Sequence, residues 1–331
     1  MERKRTVKIG FSDFWYGFDY STFLPYRLLC RHYDVVVDNE RPDYLFFSCF
    51  CDKKYAYLYH DCVRILYSGE NFSPDFNAAD YAIAFDRLTF ADRYLRFPLY
   101  LIFDHMKQAD EKHIGITPAV LKEKPWFCNY IYGNPNAIPE RTEIFRKLCA
   151  YKQVHSAGRY LNNTGVVTDT YEKKLAFQRK TKFTVAFESV LMDGYVTEKI
   201  MHGFAARTVP IYYGDPRIAE DINPEAFINC HDCADLDAVV DRVKEIDNDD
   251  AQYLSMLSAP MFKNGLRYAD YERQLETFLL HIFEQPYEQA FRRQRSFAPY
   301  EYERDLRECL SYMNSYTFRQ VRRLYDRIKK K

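Results

Sequence analysis

Short apolar runs alternate along this chain with longer stretches of helical periodicity. Residues 7–11, 33–37, 42–47 and 63–67 read as strands, and 21–32 has the spacing of a helix. That alternation predicts a parallel sheet. Residues 104–124 turn polar and charged around Gly115 and Pro118 without a clear period, which predicts a linker region. The pattern then resumes. Residues 127–132 read as a strand, and a Gly133 to Asn136 turn leads to Pro139, a favoured opening position for a helix over 140–150 with Ile144, Phe145 and Leu148 inward. A short helix is expected over 170–178, a strand over 227–229, a helix over 235–247 and a long amphipathic helix over 268–283 that can pack back across both domains. Residues 247–250, three aspartates and an asparagine, sit at a helix end without an oxygen-ligand loop, and read as a cap rather than a metal site.

Residues 183–217 concentrate the candidate chemistry. Phe183, Val185 and Phe187 form a buried strand that stops at Glu188. Thr197 is placed to cap the next helix, with Glu198 in its first turn, and Ile200, Met201, Phe204 and Ala205 supply the buried stripe. Arg207 closes the helix, 209–213 is a second strand, and Gly214-Asp215-Pro216 turns the chain. This strand-loop-helix-strand unit aims a helix N-terminus beyond the strand ends with Lys199 beside it, a site suited to phosphate. Tyr195, Glu198 and Lys199 add a ring, a carboxylate able to accept two sugar hydroxyls, and a cation: the set a nucleoside diphosphate uses. Taken singly, each has an ordinary reading as packing, dipole or solvated residue.

The first half offers a carboxylate and rings. Glu70 follows the 63–67 strand beside Gly69, exposed and positioned. Trp15 and Tyr16 lie in an aromatic loop, 12–20, at the carboxyl end of the first strand, where open α/β sheets bind ligands. They read equally as sugar contacts or as core cover. Asp80, Asp86 and Asp92 read as turn and cap groups. Arg141, in the first turn of the 140–150 helix, lies near a positive dipole end.

With 331 residues, two domains of ordinary size are expected. The 29 Tyr and 26 Phe suit stacking on sugar and base faces. Basic and acidic side chains balance at 47 each, so no global field recruits nucleic acid. Nine cysteines, an odd count with no signal-like start, argue for a reducing compartment. Cys230 and Cys233 make a lone C-x-x-C around His231, and Cys49 and Cys51 a C-x-C; neither has a second pair at zinc spacing. The tail, 318–331, is basic with Val321, Leu324, Tyr325 and Ile328 on one side, the pattern of a helix lying on an anionic membrane surface or of a solvated or docked one.

Phe187-Glu188, then Tyr195-Val-Thr-Glu-Lys199, Val209-Pro210-Ile211 and Gly214 resemble the donor-binding signature of the α1,3/4-fucosyltransferases, glycosyltransferase family 10. Residues 67–99 resemble the bacterial members that fucosylate lipopolysaccharide, and Asn134 to Ala137 with Arg141 and Phe145 resembles the segment whose Arg grips the donor diphosphate, its register shifted by one residue around 138–140. Two departures stand out: Ser189 occupies the usual Asn position of the signature, and the heptad repeats that precede the family's basic tails are absent. The resemblance implies an α/β GT-B fold, two Rossmann-like domains with parallel sheets facing across a cleft: an acceptor domain with linker over 1–124, a donor domain over 125–295 and the tail over 296–331. It implies inverting transfer of L-fucose from GDP-β-L-fucose to the GlcNAc 3-OH of a Galβ1-4GlcNAc-type glycan. Glu70 is then the general base; Arg141, Glu188, Ser189, Tyr195, Glu198 and Lys199 bind the donor; Trp15 and Tyr16 meet the acceptor. No metal or other cofactor is required, and the enzyme is cytoplasmic, peripheral on the inner membrane face through its tail. For Glu188 a loop-holding role is the other reading. Another GDP-sugar or acceptor, or a non-catalytic GDP- or glycan-binding role, remain the alternatives.

Overall fold

The computed structural model describes residues 4–50, 55–102, 106–293 and 296–329. Residues 1–3 of the basic start, Cys51, the opening of the 104–124 segment and the last two tail lysines lie outside them. The chain divides into two compact units, Met1–Phe97 with Glu272–Lys331, and Pro98–Tyr271.

The first unit holds strands β1 (Thr6–Ser12), β2 (Asp34–Val37), β3 (Tyr44–Phe47), β4 (Val63–Tyr67), β5 (Tyr81–Ala84) and β6 (Tyr94–Arg96), with α1 (Leu24–His32) between the first two. They pair in the order β2-β1-β3-β4-β5-β6, every neighbour parallel. β3, β4 and β5 are buried at every position, Arg64 of β4 included. The chain leaves β1 for β2 and returns on the other side as β3, so the topological switch lies between β1 and β3. The second unit opens with α2 (Met106–Asp110) and carries β7 (Trp126–Tyr130), α3 (Glu140–Tyr151), β8 (Val154–Ser156), α4 (Tyr171–Gln178), β9 (Thr181–Phe187), α5 (Glu198–Ala205), β10 (Val209–Tyr213), β11 (Ile228–Asn229), α6 (Leu236–Asp247) and α7 (Asp250–Ser258). Its parallel order is β11-β10-β9-β7-β8, with the switch between β7 and β9.

The units divide elsewhere than the sequence expectation of 124/125 and 295/296, for a physical reason. The supposed linker is core. Met106 and Ala109 are buried, and α2 packs on α5. Its charges are paired inside the second unit: Asp110 accepts from Arg267 Nε at 2.9 Å, and Lys112 donates to the carbonyls of Met256 and Leu257 at the end of α7. Burial pushes the Lys112 ammonium down to about 7. The cap read in residues 247–250 is Asp249, which opens α7 by accepting from the amides of Ala251 and Gln252, while Asp247 pairs with Lys152 and Lys182.

The chain returns to the first unit within α8 (Tyr268–Glu284), which sets Phe283 on Tyr44 of β3 with ring centroids 4.0 Å apart and is followed by α9 (Tyr287–Ala290), α10 (Phe297–Asn314) and α11 (Tyr316–Lys329). Asp80 fastens this segment. Its fully buried carboxylate accepts from the amides of Arg292 and Arg293, from the Arg64 amide and from Arg293 Nη1. Asp80→Ala leaves a buried guanidinium and three amides without their acceptor, and is expected to lower unfolding free energy by about 3–5 kcal/mol. Urea titration checks this; a loss under about 1 kcal/mol would show that water or rearrangement replaces the carboxylate. On α10, Glu303 pairs with the buried Arg64. Among the described residues no helix is long and apolar enough to cross a membrane.

Candidate functional site

In the second unit the carboxyl ends of β7 and β9 flank the switch point, and the loops leaving them carry most of the predicted donor residues. After β7 the chain reaches Tyr132, whose phenol lies 3.1 and 3.2 Å from the carbonyls of Val185 and Phe187 and accepts the Phe187 amide at 2.7 Å. This fixes the Tyr132 ring against the end of β9. Gly158 is required behind it, because a Cβ there would lie 2.1 Å from the Tyr132 carbonyl oxygen. Over the ring, 4.4 Å from its centroid, sits the guanidinium of Arg141 from the first turn of α3. Arg141 is 3% exposed and donates Nη2 to the Asn134 carbonyl. Its buried Nε has no partner, and no carboxylate pairs with it among the described residues. A buried cation without a counter-ion is costly.

The loop after β9 is built around Glu188. Its carboxylate is fully buried, accepts the Thr197 amide at 2.8 Å, and lies 2.8 and 2.9 Å from the Thr197 hydroxyl and 2.9 Å from Lys199 Nζ. Thr197 stands at the N-cap of α5 as expected, yet its side chain does not cap the helix, because the hydroxyl is taken by Glu188 and Lys199. The helix N-terminus thus already faces a carboxylate. Gly214 belongs to the same packing, since a Cβ there would lie 2.5 Å from Glu188 Cγ and from the Tyr212 hydroxyl. Burial drives the Glu188 carboxyl above its ordinary range against the opposing pull of Lys199. Glu198 goes the other way. Burial raises it, but the charges of Lys199, Lys174 and His202 outweigh burial and hold it at about 2. Lys174, itself pushed down to about 8 by burial, lies 2.8 Å from His202 Nδ1. The geometry of Glu188 is therefore that of the loop-holding reading, while Glu198 and Lys199 keep part of their surface open.

Of the remaining predicted donor residues, Tyr195 is buried, and the Ser189 carbonyl accepts the Ile138 amide at 3.2 Å, tying the Glu188 loop to the loop that leads into α3. Sequence reasoning missed Tyr132 and His202. For Tyr132 a signal was present, a tyrosine at the carboxyl end of a strand beside a Gly turn; for His202, within a helix, no spacing marks a partner. Lys174 belongs to a basic run whose sequence is open to either a nucleotide contact or a solvated face.

The first unit places its candidates at its own switch point. Trp15, 41% exposed, follows β1 and meets Phe50, which follows β3, with ring centroids 5.4 Å apart. Phe50 in turn covers Gly69, where a Cβ would lie 2.7 Å from the ring. Next in the chain is Glu70, exposed at the end of β4, its backbone held by the Ser68 hydroxyl 2.9 Å from the Glu70 and Phe72 carbonyls. Its carboxylate makes no hydrogen bond among the described residues. Tyr16 is fully solvent-exposed. Phe50, the ring that joins Trp15 to the Glu70 loop, escaped sequence reasoning because it stands between two cysteines in an apolar run. No cluster of three or more His, Cys, Asp or Glu with metal-binding geometry occurs among the described residues.

Comparison with known proteins gives this arrangement a family. Residues 9–103 match the alpha-(1,3)-fucosyltransferase FucT N-terminal domain, and residues 121–259 match the C-terminal domain of glycosyltransferase family 10 (fucosyltransferase). The chain is 32% identical over 300 residues to the alpha-(1,3)-fucosyltransferase FucT of Helicobacter pylori, across 80% of this chain and 61% of that protein, and so spans about three fifths of that relative's length. A putative fucosyltransferase of Acanthamoeba polyphaga mimivirus is 27% identical over 213 residues, across 62% of this chain and 34% of that protein. A solved α1,3-fucosyltransferase with GDP-fucose superposes with a TM-score of 0.68 at 28% identity, covering 84% of this chain and 92% of that one. The same kind of enzyme with GDP superposes with a TM-score of 0.71, also at 28% identity, covering 86% and 92%. The fold is accordingly α/β of the GT-B type. With more than half of its length matched by the two domains, the chain belongs to glycosyltransferase family 10, the fucosyltransferases.

Proposed function

We propose that this chain is an inverting α1,3-fucosyltransferase that moves L-fucose from GDP-β-L-fucose to the 3-OH of GlcNAc in a Galβ1-4GlcNAc-type glycan. The observation that carries the reading is the buried, uncompensated Arg141 guanidinium beyond β7 and β9, in a family whose solved member superposes with GDP-fucose present. Arg141 takes the diphosphate. Lys199 adds a second cation, Glu198 accepts the ribose hydroxyls, and Tyr195 lines the pocket they share. Glu188 acts from behind, holding Thr197 and Lys199 in place.

In the reaction, the acceptor oxygen attacks C1 of fucose from the face opposite GDP. Glu70 takes the hydroxyl proton as the new C–O bond forms; the bond from C1 to the β-phosphate oxygen breaks and GDP leaves, inverting the anomeric centre. Charge accumulating on GDP is met by Arg141 and Lys199, the task a divalent metal performs in other transferases. Transfer of labelled fucose to N-acetyllactosamine is therefore expected at the same rate with and without EDTA. Loss of product on chelation, restored by added Mg²⁺ or Mn²⁺, would overturn the metal-free part of the reading. A cytoplasmic place at the inner membrane face belongs to the same proposal, supported by the exposed Tyr316, Val321 and Tyr325 beside Arg319, Arg322 and Arg323 on α11.

A further inference from the structure

A polar cavity opens on the first unit, away from Glu70 in the sheet order. It measures about 500 Å³ and is lined by Ser12 at the end of β1, Asn39 and Glu40 after β2, and Tyr55, Leu58 and Tyr59. Because all six strands run parallel, its mouth lies at the same carboxyl edge of the sheet as Trp15, Phe50 and Glu70. Both walls are pinned. On one side Asp38 accepts the amides of Glu40 and Arg41, Asn39 Oδ1 accepts the Phe11 amide at 2.8 Å, and the Tyr59 hydroxyl donates to the Asn39 carbonyl at 2.8 Å. On the other, the buried Asp13 carboxylate accepts the amides of Tyr55 and Ala56 at 2.9 and 2.8 Å. Asp13 holds a left-handed conformation, φ 60°, to do so. The cavity is thus preformed, with Tyr55 and Leu58 presenting exposed apolar surface into a rim of amide and carboxylate.

That chemistry selects a ligand. A half-exposed ring beside hydroxyl-binding amide and carboxylate groups suits the faces and edges of a sugar. Glu40 brings a carboxylate to the rim, an acceptor suited to sugar hydroxyls. We infer that this cavity is a remote acceptor subsite that binds a neutral sugar residue of a longer glycan whose reacting end lies at Glu70. The inference rests on the proposed transfer reaction. Strand order supplies the ruler: the lining spans the ends of β1 and β2, two to three strand spacings from β4, or about 10–14 Å. A disaccharide at Glu70 and Trp15 does not fill that span. An oligomer of N-acetyllactosamine does, with Trp15 and Phe50 midway.

The test compares N-acetyllactosamine with its tetrasaccharide and hexasaccharide repeats as acceptors, using the full chain and the variants Tyr55→Ala and Glu40→Ala. The expected result is a lower KM for the longer acceptors. Each variant raises that KM by about 3- to 10-fold with kcat unchanged, the loss of one ring or hydroxyl contact, and leaves disaccharide kinetics as they were. Equal KM for short and long acceptors, or variants that affect both alike, would overturn the subsite. Binding of the hexasaccharide alone, followed by saturation-transfer NMR, separates the two layers of inference. Sugar resonances that lose saturation in Tyr55→Ala support the subsite even if no fucose is transferred, whereas unchanged saturation refutes it whatever the enzyme's activity.

Discussion

Replacing Glu70 by Gln is expected to lower kcat by about 10²- to 10⁴-fold, the range general-base catalysis contributes, while GDP affinity stays unchanged. The side chain is exposed, makes no hydrogen bond among the described residues and follows a loop fixed by Ser68 rather than by the carboxylate. Gln keeps its size and removes only the ability to accept a proton and hold charge. Nothing in the fold depends on it, so the unfolding midpoint of the variant should match that of the parent chain. Single-turnover transfer measured beside calorimetric GDP binding distinguishes the possible results. A large fall in the transfer rate with intact GDP binding assigns the base. A kcat within a few-fold of the parent removes Glu70 from the chemistry and directs attention to another group at the carboxyl edge of the first sheet.

Much of this architecture was legible from periodicity because parallel strands are buried on both faces. β3, β4 and β10 are apolar at nearly every position, and β9 ends in an apolar run, Val185 to Phe187; these strands announce themselves. β6 and β8 are three residues each, too short for any period to show, and β5 sits among turn residues. Residues 104–124 failed for a different reason. A charged segment reads as solvated, yet Asp110 finds Arg267 and Lys112 finds two helix-end carbonyls only after folding brings residues about 150 positions away beside them. The site shows the same division. Spacing around 183–217 located the loop and the helix, but it could not tell which of Glu188 and Glu198 turns inward, since both stand within reach of Lys199. Burial decides that, and burial belongs to the tertiary structure. Likewise the loop residue Trp15 was visible as an aromatic at a strand end, whereas its contact with Phe50 depends on β1 and β3 lying side by side.

The two donor-side cations should respond to removal in opposite ways. Lys199 is matched by Glu188 at 2.9 Å and Glu198 at 3.6 Å, so Lys199→Met strands a fully buried carboxylate. An unfolding free energy lower by about 3–5 kcal/mol at pH 7 is expected. The deficit has a pH signature. The Glu188 carboxyl is already raised by burial with Lys199 present, and losing Lys199 raises it further. A raised carboxyl contributes stability below its unfolded pKa and loses it as pH rises through the folded value. The Lys199→Met deficit should therefore shrink on acidification from pH 7 as Glu188 takes up a proton, and the double variant Glu188→Gln with Lys199→Met should recover most of the stability at pH 7. Arg141 is the reverse case: no carboxylate among the described residues answers its charge, and its Nε is unsatisfied. Arg141→Met removes an uncompensated buried cation at the cost of one bond to the Asn134 carbonyl and one contact with the Tyr132 ring. The apo chain should be about as stable as the parent, within about 1 kcal/mol, while GDP affinity falls about 10- to 100-fold through the lost charge-assisted bonds. Denaturant unfolding of the apo chain and GDP titration read the two effects separately. Equal destabilisation by both substitutions would mean that Arg141 has a structural counter-charge, and the anion site would then have to be sought at Lys199 instead.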